Sequence, residues 1–332
     1  MTDTLKFADL IRALGRGKNG SRSLSREEAH FAMQEIWHQR ETQAQLGALL
    51  MLMRVKEETS EELAGMAQAV RDELEQWPGH PIQIDWPAYA GKRRQPSWYV
   101  LAAKALAQGG YPVFMHGGGE HTAGRQYARQ VCDALGIPVA ASWQDAASLS
   151  RDYAMVYCPL VSFAPTLSHI IDMKRELGLR SPVNTLVRNL NPTGARVSVQ
   201  GMFHPSYKAL HHDTAGLLGD SHNVVLKGDS GEFEVRPDSD TTVLVHCPQH
   251  PKQIEVPRRL PQRAVRPDEP SMALLQSTWA GEAESDYSLA AIQDTMALVL
   301  MVADEISLQE AREKAERLWQ QRSVTLKPSK SL

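Results

Sequence analysis

Three stretches near the N-terminus follow one pattern: a Ser or Thr, a Glu or Gln three residues on, then apolar residues at helical spacing. Ser25 with Glu28, Thr42 with Gln45 and Thr59 with Glu62 each form this pairing, in which side chain and backbone satisfy one another's hydrogen bonds at the first turn of a helix. Leu46, Leu49, Leu50 and Met53 then recur on one helical face, and Leu63, Met66, Ala67, Val70 and Leu74 repeat the arrangement on the next helix. The pattern predicts a small helical domain over residues 1–76.

From about residue 80 the period changes. Short β-type runs at 82–84, 113–115, 155–157, 224–226 and 243–245 alternate with helical stretches such as 98–108. That order predicts an α/β domain over 77–332 with a mostly parallel central sheet covered on both faces. Residues 251–270 carry five prolines and five Lys or Arg, so they read as extended or irregular. Two more helices follow, at 286–303 and, from the Ser307/Glu310 pairing, to about Gln321, before a ten-residue tail. No internal repeat is visible. The apolar run at 296–303 is too short to cross a bilayer and reads as part of a buried helix.

Composition adds exclusions. With 42% hydrophobic and 23% charged residues among 332, the chain is neither a disordered, a collagen-like nor a coiled-coil sequence. Thirty-six Lys and Arg against 39 Asp and Glu give a net charge of −3, so any affinity for nucleic acid must come from local patches. Three widely spaced cysteines argue for a reducing compartment, and no secretory h-region opens the chain; a cytoplasmic protein, with no membrane association, is the expectation.

Basic clusters are the strongest chemical signal. Residues 10–26 hold Arg12, Arg16, Lys18, Arg22 and Arg26 without an acid, among Gly15, Gly17 and Gly20; they read either as a phosphate-holding segment or as a solvated connection. Gly91-Lys92-Arg93-Arg94 lies between a strand and a helix, where helix N-terminal amides favour anions. It reads as a phosphate loop or as an exposed turn, and in both cases alanine at Lys92, Arg93 and Arg94 is expected to leave folding unchanged. Tyr89, Trp98 and Tyr99 flank it and are candidates to stack on unpaired bases. The glycine-rich stretch His116-Gly117-Gly118-Gly119 after the second strand lacks the spacing of a P-loop or dinucleotide fingerprint. His246-Cys247 with His250 lacks the remaining ligands of a structural zinc site; no metal site and no catalytic residue is assigned.

Several of these segments resemble the anthranilate phosphoribosyltransferase family, within the nucleoside phosphorylase-like fold: residues 24–64, the stretch from Phe163-Ala164-Pro165 to Arg180, the SPVNTLVRNLNP that follows, and GMFHP at 201–205. The resemblance implies that helices from about 165 to 192 join the N-terminal domain, and that Arg180 matches the arginine approaching the aromatic substrate. The motifs for the phosphoribosyl donor differ. Gly91-Lys92-Arg93-Arg94 stands at the pyrophosphate glycine loop, His116-Gly117 keeps only half of a Lys-His-Gly-Asn motif, and Phe233-Glu234 stands where an Asp-Glu pair holds magnesium. Retention of the scaffold with loss of these motifs resembles the YbiB-type branch of the family. That resemblance implies a homodimer binding single- and double-stranded nucleic acid, DNA and RNA, without sequence preference, and the cations the sequence offers for it include Arg16, Lys18, Arg22, Lys92, Arg93, Arg94, Lys174, Arg175, Arg180 and Arg188. It leaves Gly91, His116, Gly117, Arg180, Phe233 and Glu234 as a vestigial substrate site. No cofactor is expected; a magnesium-dependent phosphoribosyltransferase acting on an anthranilate-like acceptor is the alternative. The stripe Leu46, Leu49, Leu50, Met53 is expected to serve partly as core and partly as dimer interface.

Overall fold

The computed structural model describes residues 5–17, 19–120 and 122–325. Lys18 and residues 326–332, most of the expected tail, lie outside them. Helices α1 (Phe7–Gly15), α2 (Arg26–Trp37), α3 (Gln43–Lys56) and α4 (Ser60–Glu73) form the N-terminal bundle. The Ser25, Thr42 and Thr59 pairings all cap as the sequence predicts, each hydroxyl accepting from the backbone of its Glu or Gln partner. Leu46, Leu49, Leu50 and Met53 are all buried within this one chain, so the stripe is core throughout and presents no interface.

The α/β domain then runs β1 (Ile84–Pro87), α5 (Trp98–Gln108), β2 (Val113–Gly117), α6 (Ala128–Ala134), α7 (Trp143–Asp152), β3 (Met155–Pro159), α8 (Pro165–Asp172), α9 (Lys174–Leu177), α10 (Val183–Leu186), β4 (Val197–Met202), α11 (Tyr207–Leu217), β5 (His222–Lys227), β6 (Thr241–His246), β7 (Gln253–Val256), α12 (Met272–Ala280), α13 (Asp286–Ala303) and α14 (Leu308–Gln321). The seven strands form one sheet in the order β3-β2-β1-β4-β5-β6-β7. The first five are parallel, and β6 and β7 are antiparallel at one edge. Strand β7 lies inside the proline-rich stretch expected to be extended or irregular; the prolines flank it, and an edge strand tolerates missing donors.

Two cores flank the sheet. On one face α5, α12, α13 and α14 bury Trp98, Trp279, Met296 and Leu300. Helix α13 is long and apolar enough to cross a membrane, but most of it is buried in this core. On the other face the bundle shares a core with α7, α8 and α10, through Leu49, Met66, Phe114, Leu167 and Leu186.

The chain turns one way from β1 to β2 and β3, and the other way from β4 to β5. The β1/β4 border is therefore the topological switch point, and the crevice outside the carboxyl ends of those strands is where open α/β sheets hold ligands. The bundle is pinned beside this border by Arg71 of α4, whose guanidinium donates to both Asp220 carboxylate oxygens at 3.1 Å and to the carbonyls of Asn189 and Leu190. Replacing Arg71 with Ala leaves a carboxylate and two carbonyls short of donors. A loss of about 2 kcal/mol is expected in urea unfolding, and Lys, which lacks the fork, should recover only part of it.

Candidate functional site

The loop after β1 is built around its own charges. Gly91 takes φ +70°, and a Cβ there would come within 2.9 Å of the Tyr127 ring, so only glycine fits. This turn sends Lys92 inward and leaves Arg93 and Arg94 at the surface. The Lys92 side chain is fully buried and ion-paired with Glu234 and with Asp229, the latter at 2.5 Å. Burial works against its charge, but the two carboxylates outweigh burial and hold the ammonium above its ordinary pKa. Lys92 is thus an internal strut and takes no part in a phosphate-binding surface. Its substitution would not leave folding unchanged, because three adjacent cations in sequence are split between interior and solvent.

The surrounding carboxylates are equally committed. Glu234 is fully buried, with Oε1 on Lys92 and Oε2 accepting from the Tyr99 amide at 2.9 Å; burial pushes it up to about 7 against the pull of Lys92. Glu232, also buried, accepts from the amides of Ala90 and Gly91 at 2.8 and 2.6 Å. A side chain of the protein itself therefore occupies the backbone anion cradle of the β1 loop. Burial raises the Glu232 carboxyl, with Arg188 opposing. Phe233, between them, is fully buried edge-on to Trp86 at 5.5 Å between ring centroids.

Behind the loop, His116 is buried, with Nδ1 2.7 Å from the Tyr89 hydroxyl and Nε2 3.2 Å from Asp85. Gly117 permits close strand contact, since a Cβ there would lie 2.4 Å from the Ala88 carbonyl oxygen. Tyr89, Trp98 and Tyr99 are all buried, which removes them as base-stacking candidates.

Outside the switch point lies a cleft of about 460 Å³ lined by Arg54, Arg125, Arg180 and Arg188 against a single acid, Glu57. Arg188 donates to the Asn184 carbonyl and lies over the Tyr89 ring, 6.0 Å from its centroid. Arg125 donates to the carbonyls of Ala90 and Gly91, and Arg54 to the Tyr207 hydroxyl. These hydrogen-bond partners are neutral oxygens, which leave the charge of Arg54 and Arg125 in place, while the buried Glu232 carboxylate offsets part of the charge of Arg188. Desolvation lowers the pKa of both Arg180 and Arg188; Arg125 and Arg54 add to this at Arg180, and at Arg188 the Glu232 carboxylate opposes it while Arg180 adds to it.

Sharing Phe203, His204 and Ser230 with this cleft is a second recess of about 430 Å³, lined by Arg93, Arg94, Lys227, Arg236 and Arg266. Among the described residues its one lining acid is Asp229, and Arg236 is paired with the buried Asp238 at 3.0 Å. Burial would raise the Asp229 carboxyl, but Lys92, then Arg236 and Arg266, hold it below its ordinary value. Four of these cations, Arg54, Arg125, Lys227 and Arg236, lie outside the basic clusters of the sequence and gave no local signal, and Arg266 belongs to the proline-rich 251–270 stretch.

Other expected cations lie elsewhere. Arg16 is exposed at the end of α1 and does not line either recess. Arg22 is held by Glu28 through two bonds of 2.6 Å, so its charge is already compensated. Lys174 and Arg175 are on α9 and line neither recess, while Lys18 is outside the described residues. Among the described residues no group of three His, Cys, Asp or Glu is arranged to hold a metal ion.

This arrangement, a helical bundle beside an α/β domain with a cleft at the switch point, is the fold of solved anthranilate phosphoribosyltransferases. Residues 8–73 match the helical bundle domain of the glycosyl transferase family. The Escherichia coli K12 protein bearing the name "Uncharacterized protein YbiB" is 26% identical over 74% of this chain and 75% of its own length. Anthranilate phosphoribosyltransferase of Shouchella clausii is 27% identical over 67% of this chain and 65% of its own. The crystal structure of anthranilate phosphoribosyltransferase from Thermus thermophilus superposes with a TM-score of 0.76 at 22% identity, covering 94% of both chains. The Saccharomyces cerevisiae enzyme in complex with PRPP and Mg gives 0.75 at 17% identity, over 95% of this chain and 93% of that one. Residues 8–73 thus carry the helical bundle domain of the glycosyl transferase family, and the chain is similar in sequence to the anthranilate phosphoribosyltransferases and shares their fold.

Two measurements test this description. Lys92→Ala strands the buried Glu234, and a loss of about 3–5 kcal/mol in urea unfolding is expected, whereas Arg93→Ala and Arg94→Ala should each stay within about 0.5 kcal/mol of wild type. His211, buried at the cleft floor, accepts from the Asn189 side-chain amide, and burial, aided by Arg188, lowers its pKa from 6.5 to about 3. The unfolded chain takes up this proton below about pH 6.5 and the folded chain does not until about pH 3, so stability falls on acidification through that window. Between pH 7.5 and 5 the wild type should lose about 2 kcal/mol more than His211→Gln in paired urea titrations.

Proposed function

We propose that this chain is a sequence-nonspecific nucleic-acid-binding protein on a phosphoribosyltransferase scaffold, and that it uses the former substrate crevice and the recess beside it as a phosphate track. The observation that carries this reading is the joining of two cation-lined recesses through Phe203, His204 and Ser230, with Arg54, Arg125, Arg180 and Arg188 on one side and Arg93, Arg94, Lys227, Arg236 and Arg266 on the other. Spread cations with few acids fit a polyanion, whose binding releases counterions, and phosphate contacts carry no base information.

Transfer from phosphoribosyl pyrophosphate needs a pyrophosphate cradle and carboxylates free for magnesium. The residues present do not fit that pair: Glu232 takes the Ala90 and Gly91 amides, Glu234 is shared between Lys92 and the Tyr99 amide, and Phe233 offers no oxygen. We therefore assign no magnesium or other cofactor to the chain. Three buried free cysteines accord with a cytoplasmic setting. A homodimer that joins two such tracks is part of the same proposal, with a surface other than the buried Leu46 stripe as its interface.

The test is a fluorescence titration with DNA and RNA oligonucleotides at several salt concentrations. Affinity should fall steeply with salt, and the Arg93→Ala/Arg94→Ala pair should reduce the slope of log K against log salt by roughly 1.4–1.8, at about 0.7–0.9 per phosphate contact. A slope near zero, or turnover of phosphoribosyl pyrophosphate and anthranilate that is lost on Glu234→Gln, would overturn the reading.

A further inference from the structure

We infer that Phe203 is a base-stacking residue and that the track therefore favours unpaired nucleic acid over duplex; this rests on the proposed nucleic-acid reading and specifies its partner. The aromatics near the β1 loop are buried in the core, whereas Phe203 has 58% of its surface exposed. It follows directly on β4, at the carboxyl end of a switch-point strand, and it lines both cationic recesses. An apolar ring displayed between two groups of guanidiniums gains nothing from phosphate, but it offers a flat face at the height where bases would hang from a backbone held on either side.

Its setting is fixed. The backbone of Phe203 packs on Gly231, where an added Cβ would lie 3.3 Å from the Phe203 nitrogen and Cβ. His204 meets the ring edge-on, with centroids 5.0 Å apart, and Tyr207 continues the aromatic group 6.5 Å beyond His204. The ring is thus displayed outward, one residue beyond the carboxyl end of β4. In a duplex the bases are stacked on one another inside the helix and cannot reach such a ring, while a single strand can turn a base onto it.

Fluorescence anisotropy with an oligothymidine and a duplex of equal length provides the test, on wild type, Phe203→Ala, Phe203→Trp and the Arg93→Ala/Arg94→Ala pair. Because Phe203 is exposed, its replacement leaves the core intact. Wild type should bind the single strand more tightly than the duplex. Phe203→Ala should lose on the order of tenfold on the single strand, with an unaltered salt slope and little change on duplex, and Phe203→Trp should retain the affinity. If Phe203→Ala leaves single-strand affinity unchanged while the arginine pair lowers it, stacking is wrong and the phosphate track stands. If wild type binds neither oligonucleotide but does bind inorganic phosphate or pyrophosphate, both readings fall and the cleft is a small-anion site.

Discussion

The buried Lys92 ammonium is the constraint around which the crevice is arranged. Its carboxylate partners, Asp229 and Glu234, come from the segment after β5, more than 130 residues away in the chain, and they tie that segment to the loop after β1 across the intervening β4. A charge removed from water must be paired and hydrogen-bonded. Once the triad forms, Gly91 is fixed in its left-handed turn, Glu232 is placed on the Ala90 and Gly91 amides, and Arg93 and Arg94 are turned to solvent. One interaction thus consumes the carboxylates that could have held a metal, fills the backbone cradle that could have held an anion, and displays the cations that remain.

The consequence is a division of charge. Inside, cations and carboxylates are matched: Lys92 with Asp229 and Glu234, Arg71 with Asp220, Arg312 with Asp294. Around the crevice, Arg54, Arg125 and Arg188 are oriented by carbonyls and a phenol. A chain with a net charge of −3 can therefore carry a strongly positive face, because its acids lie elsewhere or are already spent on internal partners.

The helices were legible because their signals are local. The Ser25, Thr42, Thr59 and Ser307 capping pairs each span three residues and mark the starts of α2, α3, α4 and α14. Strand β4 gave no such signal: Val197 to Met202 alternates apolar and polar residues, yet both faces are buried, with Ser198 accepting from Asn223 and Gln200 donating to Asn189. Basic run 91–94 was misread for the opposite reason, since local charge density says nothing about acids 137 residues onward. Arg16 and Arg22 made a conspicuous cluster in sequence and are absent from the crevice, while Arg54 and Arg125, outside any basic cluster, converge on it. Family resemblance located the crevice; only the tertiary pairing told which of its residues face inward.

Arg196 illustrates why proximity in sequence to the crevice segments is not membership in it. It precedes β4 and so lies at the amino end of the strand, where it pairs with Glu305 at 2.6 Å and donates to the Ala303 carbonyl. Phe203, seven residues on, leaves the same strand at its carboxyl end and reaches the cleft. A strand rises about 3.3 Å per residue, so the two are separated by roughly 23 Å, the full length of the strand. Polarity of the parallel strands thus sorts the cations that flank β1, β4 and β5: Arg93, Arg94 and Lys227, at carboxyl ends, can meet a common ligand, and Arg196, at an amino end, is left to structural pairing.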